Sequence, residues 1–294
     1  MRRGLLIVQS AALAAVMMCP TPGTPGARAL GSADADTAKH LWNLWWMRTE
    51  LLSGEPGLGT RLVNFPDGAA LYPIDPLDGL VGFFLPIPAV SLANVLCFVH
   101  LTLLGMAAGW LGRMVSGSRL GGYVAAALAQ GSAFAAFTVH VGVGELRQFW
   151  WLPLGLGCLL RARETGAWSW FVRLGLVGGF ATLACFYYGA FLGLASVTIL
   201  AVDLVVQRPV PSLRTLRGHG LALAIAAAIA VPAASAFASS YGPSTTVAAT
   251  PTTTAAVTVA DASGAAAALE DLYLPRAWAR SELDDDARAY TGGR

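Results

Sequence analysis

The chain predicts an all-α integral membrane fold: about seven transmembrane helices with a large first extracytoplasmic loop. Three observations carry that expectation. Of 294 residues, 55% are apolar and only 12% charged, about half the charged share of an ordinary soluble domain. Long apolar runs recur along most of the chain, as a multispanning protein requires. The charges also sort by side. If the N-terminus is inside, the inner pieces carry Arg2, Arg3, Arg113, Arg119, Arg161, Arg163, Arg173, Arg208, Arg214 and Arg217. Glu164 is the only acid in those inner loops, and Asp203 falls inside a span. Short Arg-rich inner loops at every connection follow the positive-inside rule.

The first element, about residues 4–20, follows Met1-Arg2-Arg3. It reads as an uncleaved first helix, with Ala27-Arg28-Ala29 as the cleavage site of the alternative, a signal peptide. Loop 21–88 comes next and lies outside on either reading. Its segment 79–88 is apolar but too short to cross, so it is expected at the interface or re-entering. Further spans are expected at 89–112, 120–138, 149–160, 171–187, 189–206 and 219–238. The fourth is short and contains Pro153. Residues 1–238 thus form the polytopic part. Residues 239–268 read as a Ser/Thr/Ala-rich linker, and 269–294 as a polar extracytoplasmic tail.

Composition excludes some classes. The net charge of +2 leaves no basic footprint for nucleic acid. No Walker A loop or G-x-G-x-x-G motif supports a nucleotide site. The four cysteines lie in or beside apolar spans without ligand spacing, and read as small packing residues.

The residues that could carry chemistry lie on the outer side. Asp34 and Asp36 are two apart, so on an extended segment both face one way. They could take a proton from an acceptor hydroxyl or hold a divalent cation against a phosphate. The plainer alternative makes Asp36 the cap of a helix containing Trp42, Trp45 and Trp46. Those tryptophans read first as an interfacial belt, and alternatively as a stacking platform for a sugar or lipid headgroup. Asp67 reads as a turn residue, whereas Asp75 and Asp78 could line a site. Glu145 and Arg147 offer an acid and a phosphate-pairing base in the second outer loop. Tyr187 and Tyr188 cap a tight helical hairpin. Inside the membrane, His100 and Asp203 stand out, with Asp203 expected to pair locally near Arg208.

Taken in order, these features resemble polytopic glycosyltransferases of the GT-C class, in particular bacterial ones that use polyprenyl-phosphate sugars. The resemblance runs over about residues 30–205. It rests on Asp34/Asp36 followed by Leu41-Trp42-Asn43-Leu44-Trp45-Trp46, and on Phe65-Pro66-Asp67-Gly68 with Asp75-Pro76-Leu77. Gly144-Glu145 leading into Trp151-Leu152-Pro153-Leu154 and the Tyr187-Tyr188-Gly189 hairpin complete it. It implies a bacterial inner-membrane enzyme that transfers sugar, with inversion, from a lipid-linked donor on the extracytoplasmic face. Asp36 would be catalytic base or metal ligand, with Asp34 assisting. Glu145, Arg147, Trp42, Tyr187, Tyr188 and Asp75 would bind substrate. A divalent cation is an open part of the implication, with Asp34 and Asp36 its ligands if one is used. Members of the class carry more spans and often a C-terminal soluble domain, so the chain is expected to be an N-terminal portion. The rival readings are a transporter or lipid flippase, which needs polar groups along the spans, and a noncatalytic membrane scaffold.

Overall fold

The computed structural model describes residues 3–19, 29–32, 36–54, 59–60, 69–70, 75–207 and 213–240. Within them the fold is helical, apart from a two-residue antiparallel ladder pairing Gly59–Thr60 with Ala69–Ala70. Asp34, Asp67, Arg208 and the expected linker and tail fall outside the described residues.

The chain opens with α1 (Arg3–Met17) and continues through α2 (Thr37–Ser53) and the short α3 (Pro76–Phe84). The longest early element is α4 (Ala89–Ser116), followed by α5 (Arg119–Gln130), α6 (Ala133–Val141) and the single turn α7 (Gly144–Arg147). Three helices follow closely: α8 (Trp151–Thr165), α9 (Trp168–Ala184) and α10 (Phe186–Val202). A π-helical turn, Asp203–Gln207, extends α10, and α11 (Leu213–Ser240) is the last described element.

Among the described residues, four segments are long and apolar enough to cross a membrane: Ala89–Ser116, Arg119–Val141, Phe186–Val205 and Leu213–Ser235. They match four of the expected spans. The other three expected spans are also helices, but α1 and α8 have 15 residues and α9 has 17, short of the roughly 20 a crossing needs. Pro153 is harmless because it sits in the first turn of α8, where a backbone N–H has no helical partner to lose. The expected span 120–138 is broken at Gly131-Ser132. There the Ser132 hydroxyl accepts from Ala135 N–H (3.2 Å) and restarts the helix as α6. The hairpin expected at Tyr187-Tyr188-Gly189 turns instead at Cys185, whose extended backbone separates α9 from α10 and places both tyrosines in helix.

Lipid offers little hydrophobic drive for one helix to leave it for another, so small residues that permit close contact hold such bundles together. Gly105, Gly109 and Gly112 line α4. A Cβ at Gly109 would lie 2.8 Å from Leu6 of α1 and 3.1 Å from the Gly122 carbonyl of α5. Gly175 and Gly179 do the same for α9 against α11, facing Ala222, Ile225 and Ile229. One polar strut crosses the first seam. The buried Gln130 amide donates to the carbonyls of Ser10 (2.8 Å) and Leu101 (3.0 Å).

The two ends of the bundle differ in charge. At one end Arg163 of α8 grips Asp203 with two guanidinium nitrogens, the Nε contact being 2.8 Å. Asp203 therefore pairs across helices rather than locally, which ties the far ends of α8 and α10 together. The opposite end collects acids and histidines.

Candidate functional site

Three stretches of chain between apolar helices converge at that opposite end. The Leu30 amide donates to Asn94 Oδ1 at the start of α4 (3.0 Å). The Thr37 hydroxyl donates to the Val141 carbonyl (3.3 Å). Arg147 is buried, with Nε on the Thr138 carbonyl (3.3 Å) and Nη2 on the Leu30 carbonyl (3.1 Å). The crossing works because Gly31 and Gly142 meet beside Thr37 with positive φ (136° and 82°). A Cβ on Gly31 would lie 2.8 Å from Gly142 Cα.

Helix α2 buries Thr37, His40, Leu41, Leu44 and Met47. Their spacing of three and four residues makes one face, and a histidine on it must find a partner. His40 finds two. Its Nδ1 bonds Asp75 Oδ2 at 2.6 Å, and its Nε2 lies 2.8 Å from Glu145 Oε2. Asp75 immediately precedes α3, whose first residue, Pro76, suits a helix start. Its carboxylate turns to His40 instead of capping α3. Glu145 is carried by α7, and Gly144 lets that turn approach. A Cβ there would stand 2.7 Å from Asp75 Oδ2 and 2.9 Å from His40 Nδ1.

Burial would push the His40 imidazole down, but close contacts and charge from Asp75 and Glu145 outweigh it and hold the group up at about 9. Burial raises Asp75, with His40 opposing. For Glu145, burial is outweighed by His40, and the carboxyl sits below its ordinary value. At neutral pH His40 is therefore an imidazolium held between Asp75 and Glu145.

A second pair lies one turn along α3. Asp78 meets His100 Nε2 with both oxygens at 3.1 Å, and Trp150 Nε1–H donates to His100 Nδ1 at 3.1 Å. The Trp150 donor fixes Nδ1 as acceptor, so Nε2 carries the proton that Asp78 accepts. Every polar atom of that imidazole is spent.

The residues singled out from sequence divide. Asp75 and Glu145 meet at one point, and Asp78 and His100 beside them. Arg147 is there too, with its guanidinium turned to backbone carbonyls. The Tyr188 hydroxyl donates to the Leu146 carbonyl (2.7 Å) and supports the Glu145 turn from α10, whereas Tyr187 is exposed. Trp42 stacks on the buried Trp46, with centroids 5.5 Å apart and planes 6° from parallel. Asp36 does sit at the start of α2, but it makes no side-chain cap bond and pairs with Lys39 at 2.9 Å. It lies one turn before His40. The sequence reading missed His40. The signal was its place on the apolar face of α2, hidden among tryptophans that read as an interfacial belt.

No family model, curated protein or solved structure matches the chain.

Proposed function

We propose that the protein is a bacterial inner-membrane glycosyltransferase that moves a sugar from a polyprenyl-phosphate donor to an acceptor on the extracytoplasmic face. The observation that carries this reading is the convergence of His40, Asp75 and Glu145 from three separate inter-helix stretches into one buried cluster at the acid-rich end of the bundle. The short helices α1, α8 and α9 complete seven spans by locally thinning the bilayer, and the Arg-rich end faces inward. An apolar cavity of about 490 Å³ between α9, α10 and α11 supports a lipid-borne substrate, since Leu174, Leu192 and Leu200 line it beside Gly189 and Gly193.

The chemistry assigns the parts. The acceptor oxygen attacks the anomeric carbon, the carbon–oxygen bond to phosphate breaks, and the polyprenyl phosphate leaves with that electron pair. The acceptor's proton goes to Glu145, which is ionised at neutral pH and half-buried. His40 and Asp75 hold Glu145 in place. Asp36, exposed and paired with Lys39, stands one helical turn before His40 and outside the His40–Asp75–Glu145 trio.

The test is transfer of radiolabelled sugar from a panel of polyprenyl-phosphate sugars by purified protein in lipid. Wild type is expected to transfer, Glu145→Gln to lose about 10²–10⁴-fold, and Asp36→Asn to stay within about tenfold. Loss in Asp36→Asn with retention in Glu145→Gln would return the base to Asp36. Transfer by none of the three, in folded protein, would end the enzymatic reading.

A further inference from the structure

The His40 ring lies between two carboxylates, and its two sides differ. Towards Asp75 the contact is an aligned hydrogen bond of 2.6 Å. Towards Glu145 the atoms are as close, 2.8 Å, yet neither Nε2 nor Oε2 has an aligned hydrogen-bond partner and both are shut off from solvent. His40 is 5% exposed, so water cannot make good the loss. Asp75 Oδ1 is also buried without a partner.

This asymmetry has a chemical meaning. In the neutral imidazole, an Nδ1–H donated to Asp75 leaves Nε2 as a bare lone pair, for which a metal ion competes with the proton. A lone pair and a carboxylate oxygen 2.8 Å apart repel unless positive charge joins them. A proton does so well only near the line between the atoms. A metal ion does so from off that line. Ligand atoms bound at about 2.0–2.2 Å to one tetrahedral ion sit about 3.4 Å apart, so a separation near half an ångström wider than the 2.8 Å contact admits the ion. A carboxylate behind the far ring nitrogen of a ligating histidine is the usual support of such a site, and Asp75 stands there. Donor atoms of all three side chains lie within 4.8 Å of one another.

We infer that His40 Nε2 and Glu145 Oε2 bind one divalent ion of the zinc class, with Asp75 as the positioning residue behind His40. An imidazole nitrogen beside a carboxylate favours such an ion over magnesium. Two protein ligands leave positions to be completed from the Glu145 side, where the side chain is 22% exposed. The Asp78–His100 pair cannot do the same, because both of its ring nitrogens are engaged. The inference rests on the reading of this cluster as the working site, not on the identity of the transferred group.

The experiment is calorimetric titration of Zn²⁺ into the full chain, in detergent, after stripping with a chelator. One site of micromolar affinity or tighter is expected. Glu145→Gln, on the partly exposed side of the cluster, should abolish it. Asp75→Asn should weaken it about 10–100-fold. Glu145→Asp, which keeps the carboxylate, should bind within about tenfold of wild type, and thermal melting of each variant checks folding. No zinc binding by folded wild type, or equal binding by Glu145→Gln, overturns the site. Because binding is read without any sugar, the site can fail in a protein that transfers sugar and stand in one that does not.

Discussion

Two histidine–aspartate pairs have their aspartates three residues apart, Asp75 just before α3 and Asp78 within it, and they differ in what they leave undone. At His100 every partner is present: Asp78 takes the Nε2 proton, and Trp150 donates to Nδ1. At His40 the Asp75 side is closed, but the Glu145 side is a short contact without alignment. The same residue types therefore serve two ends. A fully satisfied buried network is a brace, whereas one with an orphaned lone pair retains chemistry. Location fits the division. His100 lies deep along α4, about 16 Å from its first turn at 1.5 Å per residue, while His40 lies in the first turn of α2.

Breaking the brace should give the largest loss of stability. Asp78→Ala leaves His100 with a proton and no acceptor in a site that excludes water. A hydrogen bond to a charged acceptor contributes about 1.5–3 kcal/mol, and the stranded N–H adds its own desolvation cost. Thermal unfolding in detergent should show that loss. Equal melting of Asp78→Ala and wild type would refute the brace.

A milder change turns the closed pair towards the open one. Trp150→Phe keeps the ring but deletes the N–H, leaving His100 Nδ1 buried and unpartnered. The cost of such an orphan is about 1–3 kcal/mol. The same melting assay reads it, and an effect as large as that of Asp78→Ala would mean that Trp150 acts by packing against Trp151 and not through its hydrogen bond.

Much of this arrangement was legible from residues alone. Apolar runs located the four described segments long and apolar enough to cross a membrane, because hydropathy reports directly on burial in lipid. Asp75 and Asp78 stood out beside Pro73 and Pro76, and Glu145 beside Gly144. What could not be read was pairing. Asp75 and His40 are 35 residues apart, and nothing local distinguishes a histidine that meets two acids from one at an interface. Asp203 shows the same limit. Its partner, Arg163, is 40 residues away, so local spacing pointed to Arg208. Helix breaks escaped for a related reason: α5 and α6 read as one apolar run, and the Ser132 cap that divides them is a single hydroxyl.

The smallest effect is expected at Asp36, the exposed acid that the open pair leaves outside. Its hydrogen bond to Lys39 is the main cause of a lowered carboxyl, with slight burial opposing and the charges of Lys39 and His40 adding to it. A carboxyl lowered in the folded protein adds stability above its ordinary value of 3.8, and that stability is lost as pH falls through 3.8 and then the folded value. The side chain is 48% exposed, so solvent screening keeps the gain to about 0.3–0.5 kcal/mol. Asp36→Asn should therefore melt slightly below wild type at pH 7, with the difference closing under acid and shrinking in high salt. A gap of several kcal/mol at pH 7, insensitive to salt, would place Asp36 inside the buried network with His40 and erase the contrast between the exposed acid and the trio.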